Sequence, residues 1–430
     1  MPCDEPSVAV TMASETLIGR PTPVALREHG LVEVWLPYGH SEIPVRVPDE
    51  RLIEIIKPES INRLYDPVPK AVELLKSNES FVRKAGDASR VCIVLGFCGT
   101  QRTTVELTQT VLKFINNPQN STTILCTDDS AELDPSLFGA SRVLRHTAKS
   151  ETASCGPLKN GFKPQLNSDF VNAELRVLIG ELRPHQFLRY AGLSDLIFPS
   201  LGSNASVTAH LAERGAYTLD ELHKERLEIA QTFDSTFALG LVLDAELQAS
   251  SVAFDTIEGT LASLEPIVSQ ACLKLVTNRA DILVMSAGGA PFDSTLDRSV
   301  ESFPVGINAL KRDGALIVAA ECEQGHGGGR FYEWCTEHKE PRYLESRLRH
   351  HFSYDGFKAA FLGRTLQSHR VYLVSTIPDH YVESVFDMKP APTVNAALQS
   401  AQRTHGSQSM ISVIPNACRV TSKLIEAEKE

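Results

Sequence analysis

No run in this sequence approaches the roughly 18 apolar residues that a membrane-spanning helix requires. There is no Lys/Arg block either. The 42 basic and 53 acidic residues leave a formal charge of −11 with the signs mixed along the chain. That excludes the basic footprint of a nucleic-acid binder and a polybasic membrane surface. The nine cysteines are odd in number and scattered, and C-x-x-C never occurs. A zinc ribbon or disulfide scaffold is therefore not expected, whereas reduced thiols in a cytoplasmic protein are. Met1 to Ala13 carry Asp4 and Glu5 and lack the basic region of a signal peptide. What remains is ordinary globular composition, 42% hydrophobic and 22% charged, with a length of 430 residues that suits two or three domains.

Residues 1–30 are polar, with a Pro21-Thr22-Pro23 element, and read as a mobile lead-in. Leu31–Leu36 and Ile43–Val47 flank Tyr38-Gly39-His40-Ser41 and read as a hairpin, and Asp66-Pro67 opens a helix through Leu75. Short continuous apolar runs follow at Val91–Leu95, Ile124–Cys126 and Val177–Ile179, and Phe237–Leu243 with Ser251–Phe254 suggests an antiparallel pair. A helix over Leu261–Thr277 links this half to a second set of strands: Asp281–Met285, Ala315–Ala319, Arg370–Val374 and Met410–Ile414, with a helix over Leu296–Ala309. Strands alternating with helices predict an α/β protein with a mostly parallel sheet in each of two domains, 31–262 and 263–430.

Ligands of open α/β sheets bind beyond the carboxyl ends of the strands. After the strand at 91–95 come Gly99, Thr100 and Arg102 at a helix start, suited to a phosphate or, equally, a capped helix with a surface arginine. After 124–126 come Asp128 and Asp129, either a general base or helix caps. His185 follows the third strand and His210 lies on a helix beyond it; each is suited to proton transfer or metal ligation. In the second half, Gly288 and Gly289 let backbone approach a ligand closely and Asp293 can cap the next helix, on which Arg298 and Glu301 share a face. Gly325-His326-Gly327-Gly328-Gly329 spends too many glycines to be a mere connection.

These segments, in this order, resemble the nickel-pincer lactate racemase family. The likeness rests on Gly-Gly-x-Pro-x-Asp at Gly288 to Asp293, on the Gly-His-Gly-Gly loop at Gly325 to Gly328 followed by Phe331-Tyr332, on Pro184-His185 with Ala191-Gly192 and Pro199, and on Thr100 to Arg102. It spans about residues 30 to 424. The resemblance implies a two-domain enzyme with its active site in the cleft between the domains, which removes a hydride from the α-carbon of a small 2-hydroxy acid onto a nickel-pincer nucleotide made by cofactor-synthesis enzymes. It assigns Arg102 to the cofactor's phosphate or carboxyl, with Gly99, Thr100, Gly288, Gly289 and His326 around the cofactor, His185 to acid/base work and His210 to nickel.

Three positions depart from the pattern. Asp195 stands where the family's anchoring lysine falls, so any pincer cofactor here is expected without a covalent bond. Thr127-Asp128-Asp129-Ser130 replaces the second acid/base histidine, leaving a carboxylate for that role. Arg298 and Glu301 stand where a glutamine and a lysine grip lactate; Arg298 suits a carboxylate, whereas Glu301 repels one and attracts hydroxyls or an amine. The expectation is a racemase or epimerase of a 2-hydroxy acid other than lactate. Its alternative is a homologue that binds a nucleotide-like ligand without nickel chemistry. A dinucleotide-dependent dehydrogenase lacks its glycine fingerprint.

Overall fold

The computed structural model describes residues 25–424 apart from 29, 60–62, 116–120, 128, 129, 131, 132, 160, 188, 208–218, 245, 338, 339, 351 and 352. Two six-stranded sheets carry the structure. In the first, the strands run in the order Ala249–Thr256, Thr236–Leu243, Leu175–Glu181, Arg90–Leu95, Ser121–Cys126 and Arg142–Arg145. Only the first of these is antiparallel to its neighbour. Successive side chains of a strand point to opposite faces. Accordingly Val91, Ile93 and Leu95 enter one apolar core, while Cys92 and Val94 enter another. A strand buried on both faces must be apolar throughout, which is why these runs stand out in the sequence.

The second sheet is wholly parallel, in the order Lys389–Pro390, Arg370–Val374, Leu310–Ala319, Ala280–Ser286, Ile411–Ile414 and Leu52–Ile55. Its last strand precedes the first sheet in the chain. The hairpin Leu31–Tyr38/Ser41–Pro48 also belongs here: Val32, Val34, Leu36, Val45 and Val47 pack against Ile282, Val284 and Ile317. Chain order groups both segments with the first domain, but their apolar faces are matched by the second sheet. Ala25–Glu28, expected in the lead-in, adds a third strand to the hairpin.

Two helices differ from expectation. The linking helix runs Ile257–Cys272 and buries Ile257, Leu261, Leu264 and Val268 on the first sheet; Leu273–Val276 then leaves as a strand paired with Thr421–Leu424. The segment expected as one helix over 296–309 is two, Leu296–Val300 and Phe303–Asn308. Pro304 sits in the first turn of the second, where its missing N–H is tolerated but could not continue a preceding helix.

The domains meet through a buried ion pair. Glu181, at the end of a central strand of the first sheet, accepts two hydrogen bonds of 2.9 Å from Arg419 of the second domain. Their side chains are 2% and 1% exposed, so each charge is compensated by the other rather than by solvent. The Arg419 guanidinium also lies over the rings of Phe97 and Phe292, which meet edge to face across the junction.

A candidate active site at the domain junction

His185 is delivered to the second domain by a small hairpin, Arg183–His185 paired with Arg189–Ala191. The return of that hairpin depends on Gly192 (φ +109°), because a Cβ there would lie 1.5 Å from the Glu181 carbonyl. Phe187 at its tip packs edge-on against Phe357 and Phe361 of the helix Tyr354–Ser368, with ring centroids 5.0 and 5.4 Å away. The Phe187 N–H donates to His185 Nδ1 at 3.2 Å. A nitrogen that accepts carries no proton, so the proton of the neutral ring is on Nε2. Nε2 lies 3.0 Å from Glu301 Oε2 and donates to it. As held here, the imidazole offers an N–H and no free lone pair. Proton exchange at Nε2 requires release of the Phe187 contact, so that Nδ1 can hold the proton.

Glu301 follows the short helix Leu296–Val300, and its other oxygen, Oε1, is 3.6 Å from Lys358 Nζ. That ammonium is buried, donates to Asp297 Oδ2 at 2.8 Å and lies 3.7 Å from Asp355. Burial alone would raise the Glu301 carboxyl; the hydrogen bond from His185 and the charges of Lys358 and Arg298 override it and bring it down to about 2. Burial likewise opposes charge on Lys358, but Glu301, Asp297 and Asp355 hold it above its ordinary value. The Tyr354 hydroxyl is buried without a hydrogen-bond partner among the described residues. Burial and the Glu301 charge push its ionisation well above the usual range, so it remains a neutral hydroxyl.

The glycine loop closes over these carboxylates. A Cβ at Gly327 would lie 1.9 Å from Asp297 Oδ1, and one at Gly328 would lie 2.5 Å from Asp355 Oδ2. The His326 carbonyl accepts from the Asp297 N–H at 3.2 Å, and its ring stacks on Tyr332 with centroids 4.4 Å apart. Its Nδ1 is buried and has no partner among the described residues.

Other expected site residues are elsewhere or engaged. Thr100 caps the helix Gln101–Phe114 by accepting from the Thr103 N–H. Arg102 projects into solvent, its side chain 75% exposed, and pairs with Glu106 one turn on. Gly99 (φ +88°) brings the chain against the Leu247 carbonyl. Gly288 and Gly289 admit protein: added Cβ atoms would meet Cys418 Sγ at 2.5 Å and the Gly39 carbonyl at 3.0 Å. Asp293, expected as a helix cap, instead accepts from the N–H groups of Gly39 and Glu321, pinning the hairpin tip to the second sheet. Asp128, Asp129 and His210 lie outside the described residues. Arg298 is half-buried on the same short helix, its charge acting on Glu301. Asp195 is buried and accepts from the Gly192 N–H at 2.6 Å.

Asp297, Tyr354, Asp355 and Lys358 escaped the sequence reading, which examined residues directly after strands. Three of them lie at the start of a helix that leads into a strand and does not directly follow one. The available signal was Asp355 and Lys358 three residues apart, the spacing of one helix face.

The two α/β domains thus bring an imidazole, a buried ammonium and a phenol together at their junction. Residues 38–214 match the model of the lactate racemase N-terminal domain, and residues 275–421 match that of the lactate racemase C-terminal domain. The chain belongs to the lactate racemase-like family. It is 26% identical over 424 residues to the lactate racemase of Thermoanaerobacterium thermosaccharolyticum, covering 91% of this chain and 99% of that protein. To the lactate racemase of Lactiplantibacillus plantarum it is 23% identical over 291 residues, 64% of this chain and 68% of that protein. The fold matches the structure of the Thermoanaerobacterium lactate racemase apoprotein with a TM-score of 0.76 at 24% identity, over 91% of this chain and 100% of that one. A crystal structure of a Thermotoga maritima protein matches with a TM-score of 0.62 at 14% identity, over 83% of this chain and 98% of that one.

Proposed function

We propose that the chain is a racemase or epimerase of a small 2-hydroxy acid other than lactate, acting at the junction between its domains. The observation that carries this reading is His185 held across the junction by Glu301, beside the buried Lys358 and Arg298, within a lactate racemase-like fold. In the proposal His185 exchanges the substrate hydroxyl proton once its ring has left Phe187, and Arg298 orients the carboxylate. Asp128 or Asp129 is the carboxylate for the opposite face. The ionised Glu301 disfavours lactate itself, because it stands where the family has a cation.

The residues described do not fit the family's covalently anchored cofactor. Asp195 offers no amine at the anchor position and is tied to the Gly192 backbone. Arg102, Thr100 and the glycine pair are committed to partners within the chain. A nickel-pincer nucleotide therefore belongs to this proposal only in a non-covalent form, with His210 as candidate metal ligand, and it would supply the hydride acceptor. The eight described cysteines are all free thiols, which suits the cytoplasm proposed for it, and no described helix is long and apolar enough to cross a membrane. Cofactor-synthesis enzymes are then its partners.

The test is native mass spectrometry with metal analysis of protein produced alongside those enzymes, together with chiral analysis of a panel of single-enantiomer 2-hydroxy acids. Expected are nickel at about one per chain, lost in His210→Ala, and racemisation of a panel member other than lactate. Nickel-free protein that racemises nothing would favour the second reading, a ligand-binding homologue, for which Asp195 at the anchor position speaks.

A further inference from the structure

The carboxylate of Glu301 is flanked by donor groups from both domains, one of them hydrogen-bonded to it. His185 Nε2–H donates to one oxygen at 3.0 Å, and Lys358 Nζ stands 3.6 Å from the other. The buried Tyr354 hydroxyl beside them has no hydrogen-bond partner among the described residues. As held, neither His185 nor Lys358 presents a lone pair to compete: Nδ1 is turned to the Phe187 N–H and the ammonium has none. An N–H and an ammonium, one beside each oxygen of a single carboxylate, suit a small anion, with Asp297 and Asp355 sharing the ammonium. Glu301 reaches this place on a side chain that is still 24% exposed.

We propose that His185, Lys358 and Tyr354 form a seat for a small carboxylate anion, and that Glu301 fills this seat in cis as an autoinhibitory contact. An external carboxylate then binds only in competition with Glu301, which is tethered and therefore at high effective concentration. The carboxylate of Glu301 favours its charged form here in spite of burial, as a seat of this kind requires. Asp297 and Asp355 remain beside Lys358 when Glu301 is gone, so the ammonium is not stranded and the emptied seat can persist. The inference concerns binding and stands whether or not the chain turns over a hydroxy acid.

The test uses the full chain as wild type, Glu301→Gly, Glu301→Gln and the double variant Glu301→Gly/Lys358→Met. Formate and acetate are the probes, followed by calorimetry and by the imidazole nitrogen resonances of histidine-labelled protein. Glu301→Gly, with the seat emptied, is expected to bind formate or acetate, move the His185 resonances and gain thermal stability with added anion. Wild type and Glu301→Gln, with the seat filled, are expected to bind at least about tenfold more weakly, and the double variant to lose about tenfold relative to Glu301→Gly, the scale of one charge-assisted hydrogen bond. Two results would overturn the proposal: binding to Glu301→Gly no tighter than to Glu301→Gln, or affinity unchanged by Lys358→Met. Should Glu301→Gly not fold, Glu301→Ala with formate gives the same comparison. A wild type that racemises nothing while Glu301→Gly binds acetate would sink the enzyme reading and leave the seat intact.

Discussion

Two acid–base pairs cross the same junction, and they differ in how completely they are satisfied. Glu181 and Arg419 are bidentate, almost wholly buried and enclosed by Phe97 and Phe292. His185 and Glu301 share one hydrogen bond, and the nearby Lys358 is divided among three carboxylates while the Tyr354 hydroxyl goes without. The first pair has a single low-energy arrangement, because each of its charges would otherwise be buried alone. The second has alternatives close at hand, because its donors can be redistributed among several acceptors. One pair fixes how the domains meet; the other keeps a polar group exchangeable for a ligand at the same seam.

The contrast is sharpest under mutation. Arg419→Met strands Glu181 in the interior and is expected to cost about 3–5 kcal/mol in chemical denaturation; a loss below about 1 kcal/mol would mean that water reaches the pair. Glu301→Gln keeps an acceptor for His185 and is expected to cost about 2–3 kcal/mol near neutral pH. That difference should depend on pH. The Glu301 carboxyl lies at about 2 in the folded protein against an ordinary 4.5, so the wild type's advantage is complete above 4.5 and lost as pH falls from there towards about 2. Parallel pH curves for wild type and Glu301→Gln over that window would show that Glu301 is not held as described. Arg102→Ala should be the smallest effect, leaving the thermal midpoint unmoved, since its exposed pair with Glu106 is screened by solvent.

The fixed parts of the molecule were legible in the sequence and the exchangeable part was only half so. The runs at 91–95, 177–179, 281–285 and 370–374 announce strands because burial on both faces leaves no room for polar residues. His185 and Glu301 were each singled out, but as separate contacts for a substrate. Their bond to each other joins residues 116 positions apart and depends on how two domains dock, which no local pattern encodes. Lys358 was invisible for the same reason: it reads as a helical lysine until Asp297 and Glu301 are brought up to it. The glycine pair Gly288–Gly289 was read as room for a ligand, whereas the space is taken by the hairpin tip and Cys418. Close approach was the right inference from glycine; what approaches was not.

The central claim, that the junction around His185 is where a hydroxy acid reacts, is tested most directly by chiral analysis of the racemised substrate with His185→Gln, prepared with the cofactor-synthesis enzymes and assayed for nickel in the same sample. Racemisation is expected to be lost while the nickel content stays that of the wild type. Racemisation at the wild-type rate in that variant would contradict it.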